Sequence, residues 1–281
     1  MHAAIALDRP ATVVVPLSTK PMMIAKLRAA GAHHVVQHGA SWREADNFLR
    51  EQLLERDENG VYVPPFDHPD IWTGNATMMA EVAEQLGEAS PDVVVCGVGG
   101  GGLFNGVMQG LDDLGWSDVP VLAVETKGAD SLNVSLEAGE LVTLPGITSL
   151  ATSLGATRVS DKTFEYAQRV NVKSVVLSDA EAAMGCWRLA DDERLMVELA
   201  SGVNVALCYN GKLEEVLGRR LTKESNVVII LCGGSGVTVE MLVDWRRQFG
   251  YVEEAMPKNK DVPSAQSAPE PVGWGNPTKS T

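Results

Sequence analysis

Three stretches bring together residue types that do chemistry in combination. The first is Gly99-Gly100-Gly101-Gly102, preceded by Val93-Val94-Val95-Cys96-Gly97-Val98 and followed by Leu103-Phe104-Asn105-Gly106-Val107-Met108. A β-branched run, a loop without side chains and a helical apolar spacing predict strand, loop and helix. That order offers bare amides and the positive end of a helix dipole to an anion. Four glycines in succession carry an entropic cost that a plain turn does not require. A phosphate cradle is therefore the expected use. A flexible link between strand and helix stays open, and so does a dinucleotide site. Gly97-Val98-Gly99-Gly100-Gly101-Gly102 satisfies G-x-G-x-x-G, and Glu125 ends the next strand. Against the dinucleotide site, a run this rich in glycine matches the pattern almost automatically, and the unit does not open the fold. It would also leave a second glycine loop, Cys232-Gly233-Gly234-Ser235-Gly236, without a task.

The second stretch, Glu125-Thr126-Lys127-Gly128-Ala129-Asp130-Ser131, sets a carboxylate, a hydroxyl and turn carbonyls side by side. An all-oxygen set suits a hard cation. A solvated carboxylate at a strand end is equally open. The third is Cys232 itself, between Val227-Val228-Ile229-Ile230-Leu231 and two glycines. In a core its thiol would be a small hydrophobe. At the mouth of a strand it can face a ligand.

Each stretch follows an apolar run, so strands must position all three. Strands are predicted at 11–15, 34–37, 61–63, 93–95, 121–124, 174–177 and 226–231, from β-branched content and flanking breakers. Helices are predicted at 21–30, 42–56, 75–87, 103–111, 164–170, 179–189, about 202–209, and after Gly236 to about 249. Ser41 is a candidate N-cap, and Ser178-Asp179-Ala180-Glu181 is a capping box. Residues 66–74 read as a loop, residues 145–155 as a loop with a short helix, and residues 1–7 as the back half of a helix. Residues 11–63 thus read as β-α-β-α-β. Alternation of this kind predicts an α/β fold with parallel sheets covered on both faces. Ligands in such folds sit at the carboxyl ends of strands, where all three stretches fall.

Composition narrows the partners. The chain has 281 residues, 45% of them hydrophobic, and a formal net charge of −14. That balance, without a basic stripe, argues against nucleic acid and anionic membrane as partners. Cys96, Cys186, Cys208 and Cys232 show no CxxC spacing and read as buried free thiols of a reducing compartment. The five histidines share no ligand spacing with them, so zinc is not expected. No membrane span or signal peptide is recognisable, and a cytoplasmic location is expected. From residue 257 on, Pro, Ser, Gly, Lys and Asn dominate, and residues 257–281 are expected to be a disordered tail.

Phrase by phrase, the chain resembles the L-serine/L-threonine dehydratases, pyridoxal-phosphate enzymes of fold type II related to the tryptophan synthase β chain. The likeness rests on Ala11-Thr12-Val13-Val14-Val15-Pro16, Tyr62-Val63-Pro64-Pro65-Phe66-Asp67, Ile71-Trp72-Thr73-Gly74, Gly99-Gly100-Gly101-Gly102-Leu103, the Glu125 to Ser131 stretch, Ile147-Thr148-Ser149, Ser153-Leu154-Gly155-Ala156 and Cys232-Gly233-Gly234-Ser235, in family order. It implies two parallel-sheet three-layer subdomains: a partial small one over residues 1–66 and a large cofactor-binding one over residues 67–256. It implies that Gly99, Gly100, Gly101, Gly102 and Leu103 hold the phosphate of pyridoxal 5'-phosphate, and that Cys232 lies against the pyridine nitrogen. Ser153 would occupy one face of the ring, and Phe66 would line the pocket. A potassium-type monovalent cation would sit among Gly99, Glu125, Ala129, Ser131, Leu154 and Ala156. The implied reaction is β-elimination of L-serine to pyruvate and ammonia, or of L-threonine to 2-oxobutanoate, in a protein that is commonly a homodimer.

The departure from the pattern concerns the catalytic base. In the family, a segment with the Schiff-base lysine and a Ser-x-Gly-Asn-type loop precede the first of these motifs. This sequence contains neither, so the expectation is a missing N-terminal segment, uncovered sheet strands and no assigned catalytic residue. Lys20 and Lys26 lie in other contexts, and Lys127 belongs to the cation stretch. The chain by itself is expected to be inactive. A non-catalytic paralogue or subunit partner that retains the phosphate cradle is the alternative.

Overall fold

A computed structural model describes residues 2–87 and 89–254. The tail expected over residues 257–281 lies outside the described residues. The elements run α1 (His2–Ala6), β1 (Thr12–Val15), α2 (Pro21–Ala29), β2 (His34–Gln37), α3 (Trp42–Phe48), α4 (Pro69–Gln85), β3 (Val93–Gly97), α5 (Gly102–Asp113), β4 (Val121–Thr126), α6 (Ser131–Ala138), α7 (Asp161–Ala167), β5 (Val172–Leu177), α8 (Asp179–Glu193), α9 (Leu199–Ala206), α10 (Lys212–Leu217), β6 (Val227–Ile229), α11 (Val239–Phe249) and α12 (Tyr251–Glu254).

The strands form two separate parallel sheets. One pairs β1 with β2, and the other has the order β5-β4-β3-β6. In the larger sheet β3 and β4 are buried on both faces, as their unbroken Val and Ala content dictates. Alternate side chains sort into two layers. Val93, Val95, Leu122 and Val124 pack with Met184, Cys186, Val203 and Leu242 of α8, α9 and α11. Val94, Cys96, Val121 and Ala123 pack on the other face with Met79 of α4 and Phe104, Val107, Met108 and Leu111 of α5. Both layers depend on the central strand, so β3 cannot move without disturbing each. The small sheet is only half-buried over Val13, Val14 and Val15.

Four local expectations need correction. Residues 61–63 are not a strand: Val61 is 84% and Val63 77% exposed. Pro64 and Pro65 cannot donate to a ladder, and Tyr62 turns back to give its hydroxyl proton to Asp46 Oδ1 at 2.5 Å. The first sheet therefore holds β1 and β2 alone, not a β-α-β-α-β unit. Residues 69–74 are helix, not loop. Pro69 stands at the first helical position, and His68 Nδ1 accepts the Asp70 amide at 3.2 Å, an arrangement that proline favours. The helix expected through residue 56 changes pitch after Phe48 into a π-turn (Leu49–Leu53) and a 3-10 turn (Leu54–Arg56). Of the four thiols only Cys96 and Cys186 are buried, whereas Cys208 and Cys232 are exposed. The capping box at Ser178 and Glu181 is present as expected.

Candidate functional site

Because β6 lies beside β3, the loops that leave their carboxyl ends are neighbours. They enclose a cleft of roughly 550 Å³. Gly99, Gly100, Gly101, Gly102 and Leu103 line one part of it and Cys232 another, and Phe66 and Ser153 complete the wall. All eight residues nominated for a cofactor thus share one cavity.

The glycine loop is shaped by what presses on it from behind. A side chain at Gly100 would start 2.3 Å from the Phe66 ring, and one at Gly102 would start 2.8 Å from the Phe66 carbonyl. Trp72 Nε1 holds that carbonyl at 2.8 Å. Gly101 has φ +101° and serves as the N-cap of α5. That is left-handed space, which side chains rarely enter. The amides of Gly99, Gly100 and Gly101 have no protein acceptor among the described residues. Those of Gly102 and Leu103 belong to the first turn of α5, where no intrahelical acceptor exists. The loop therefore presents a set of unspent donors to the cleft.

Cys232 is held by helix α9, which sequence reading started too late, at residue 202. Ser201 Oγ accepts the Cys232 amide at 3.0 Å. One turn further along, Asn204 Nδ2 donates to the Ile230 carbonyl at 2.9 Å. Asn204 Oδ1 is buried without a partner among the described residues, beside Gly97. The walls around the Cys232 thiol push its pKa up, the Ser201 hydroxyl opposes this, and the Glu198 charge adds to it. The thiol is neutral at physiological pH.

Glu198 is the site residue that sequence reading missed. Its Oε2 accepts the Ser153 hydroxyl at 2.5 Å, and its Oε1 accepts the Gly236 amide at 2.7 Å. Its own amide donates to the Gly233 carbonyl at 2.9 Å. One carboxylate thus ties the Ser153 loop to the Cys232 loop. The available signal was an acid immediately before an apolar helical start, Glu198-Leu199. Lys26, set aside on its sequence context, reaches the same rim, where its ammonium donates to the Ser235 carbonyl.

The candidate cation residues lie beside the cleft. Glu125 is fully buried, so the solvated-carboxylate reading is excluded. Its two oxygens accept the Leu132 and Asn133 amides at 2.9 and 2.8 Å, at the start of α6. Burial raises its pKa to about 8 against the pull of those two amides. Ser131 Oγ donates to the Ala156 carbonyl at 3.0 Å. A side chain at Gly99 would meet Leu154 at 3.2 Å, so the glycine loop and the Leu154 loop touch. Ala129 is buried in the turn after β4, its amide on the Thr126 carbonyl at 2.8 Å.

Comparison with known proteins gives this geometry a family. The profile of the pyridoxal-phosphate dependent enzyme family matches residues 1–233. The catabolic L-serine/threonine dehydratase of Saccharomyces cerevisiae is 40% identical over 275 residues, which cover 93% of this chain and 73% of that protein. The chain belongs to the pyridoxal-phosphate-dependent family of L-serine/L-threonine dehydratases. A serine dehydratase-like protein of Rattus norvegicus is 43% identical over 250 residues, covering 88% of this chain and 75% of the relative. A fungal L-serine ammonia-lyase from Rhizomucor miehei has a similar structure, with a TM-score of 0.81 at 35% identity over 88% of this chain and 77% of that one. The fold is that of the fold type II dehydratases, with parallel sheets and strand-end loops. Family membership sets aside the dinucleotide reading of the glycine loop.

Proposed function

We propose that the cleft binds pyridoxal 5'-phosphate in a homologue of the dehydratases that convert L-serine, and L-threonine, by β-elimination to a 2-oxo acid and ammonia, and that this chain by itself does not carry the elimination through. The observation that carries this reading is the row of unspent amides from Gly99 to Leu103 in one cavity with Cys232, in a chain 40% identical to a dehydratase over 93% of its length. The donor set fits the cofactor. Amides at a helix start suit a phosphate, and a weakly polar thiol suits an aromatic nitrogen that is to stay unprotonated. When bound, the cofactor supplies an electron sink that lets the α-carbon release its proton and the β-carbon its hydroxyl.

The chain's own residues bind and orient. Gly99 to Leu103 would hold the phosphate, and Cys232 would face the ring nitrogen. Phe66 and Ser153 would bound the ring, with the Ser153 hydroxyl fixed by Glu198. Among the described residues no lysine lines the cleft. The proposal therefore assigns cofactor binding, and not proton abstraction, to this chain by itself. A monovalent cation, with potassium as the natural occupant, would lie among Gly99, Glu125, Ala129, Ser131, Leu154 and Ala156. The contacts of Gly99 with Leu154 and of Ser131 with Ala156 support that site. The four free thiols support a cytoplasmic location, and no described helix is long and apolar enough to cross a membrane. A homodimer is the expected assembly, and light scattering at twice the chain mass would show it.

Purified chain titrated with pyridoxal phosphate and then given L-serine tests the reading. Saturable binding without pyruvate release is the expected result. Pyruvate, together with borohydride fixation of the cofactor, would give the base role to a lysine of this chain, with Lys26 the first to map. Absence of saturable binding would contradict the proposal.

A further inference from the structure

Behind the glycine loop lies a closed polar ring. Asn105 Nδ2 donates to Ser160 Oγ at 3.1 Å, Ser160 Oγ and Thr163 Oγ1 are 2.8 Å apart, and Thr163 Oγ1 donates to Asn105 Oδ1 at 2.9 Å. With Ser160 donating to Thr163, each hydroxyl proton is used once and the ring closes on itself. All three residues are buried, and none lines the cleft. Polar groups taken out of water stabilise nothing unless fully satisfied, and a fully satisfied network holds its members rigidly.

This ring touches the loop at one peptide. The Ser160 amide donates to the Gly100 carbonyl at 3.0 Å, and Thr163 Oγ1 lies 3.5 Å from the same oxygen. Thr163 also fills the space a Gly101 side chain would take, its Oγ1 only 1.7 Å from such a Cβ position. The amides of Gly102 and Leu103 need no such help, because first-turn amides point out of any helix. The Gly100–Gly101 peptide precedes the helix, and no helical bond aims it. In a trans peptide the N–H points opposite to the C=O, and no cis peptide occurs among the described residues. A carbonyl held on the buried side turns the Gly101 amide to the cleft.

We propose that Asn105, Ser160 and Thr163 are positioning residues that aim the Gly101 amide at the cofactor phosphate. The proposal rests on the reading of the cleft as a pyridoxal phosphate site. Thr163→Val keeps the side-chain shape and removes the hydroxyl, and Thr163→Ser keeps the hydroxyl. Calorimetric titration of the full chain with pyridoxal phosphate and with pyridoxal, which lacks the phosphate, reads the effect. The valine variant should lose about tenfold in its preference for the phosphorylated ligand. Its affinity for pyridoxal should stay the same, and serine should restore the preference. A merely structural role would weaken both ligands alike. Should the valine variant fail to fold, Thr163→Cys, with its weaker donor, reads the same ratio with an expected loss of about threefold. A wild-type preference retained in whichever of these variants folds overturns the proposal alone. A wild-type chain without any preference overturns the cofactor reading along with it.

Discussion

Burial lifts the Glu125 carboxyl from an ordinary value of 4.5 to about 8, although two backbone amides point at it. The native state therefore holds a proton that the unfolded chain releases between these values. Folding stability from this group is fully present below pH 4.5, declines as pH rises through about 8, and is level above. A cation beside the carboxylate would favour its charged form and flatten that decline. Urea denaturation at pH 6 and pH 8, in potassium chloride and in choline chloride, checks this. The stability lost between the two pH values should be smaller in potassium, and equal losses would contradict the cation site. At the same scale, the glycine loop and Cys232 were legible because backbone exposure and a strand-end position are written in residue type and order. Glu198 was not, because its role depends on Ser153 and Gly236, 45 and 38 residues away in sequence.

Helices α8 and α9 approach so closely that each glycine at their contact is filled by the other helix's backbone. A side chain at Gly202 would start 2.4 Å from the Ala182 carbonyl and 2.2 Å from Cys186 Sγ. Gly202→Ala should destabilise the fold by about 1–3 kcal/mol and, by shifting Ser201, weaken cofactor binding. Gly74 makes the contrast. It lies inside α4 with nothing within 4 Å of its Cβ position, so Gly74→Ala should stabilise by about 0.5–1 kcal/mol. Chemical denaturation of both variants gives the comparison. Element type was readable wherever burial on both faces left unbroken apolar runs, as in β3 and β4. It was misread where local chemistry outweighed pattern. Val61 and Val63 are β-branched, but Pro64 and Pro65 follow directly, and Gly74 suggested a loop inside a helix that Pro69 had already begun.

At the scale of the molecule, a net charge of −14 sets the terms on which an anionic cofactor arrives. Among the described residues no basic side chain lines the cleft, and Lys26 at its rim is spent on the Ser235 carbonyl, so binding relies chiefly on amide dipoles against a repulsive overall field. Added salt should screen the repulsion, and pyridoxal phosphate association should quicken as choline chloride is raised toward about 0.15 M. A site built on lysines or arginines would slow instead, and stopped-flow fluorescence separates the two. The parallel α/β class and the strand-end location of the site were legible from the order of strands and glycine loops. The adjacency of β6 to β3 was not, because Val227 at the start of β6 lies 130 positions after Gly97 at the end of β3 and only the sheet order brings their loops together. That adjacency makes one cleft of two glycine loops. Amide hydrogen exchange with and without pyridoxal phosphate tests it most directly. New protection is expected at residues 99–103 with pyridoxal phosphate and not with pyridoxal. Lack of protection at residues 99–103, or equal protection there with both ligands, would contradict a phosphate held by the glycine loop.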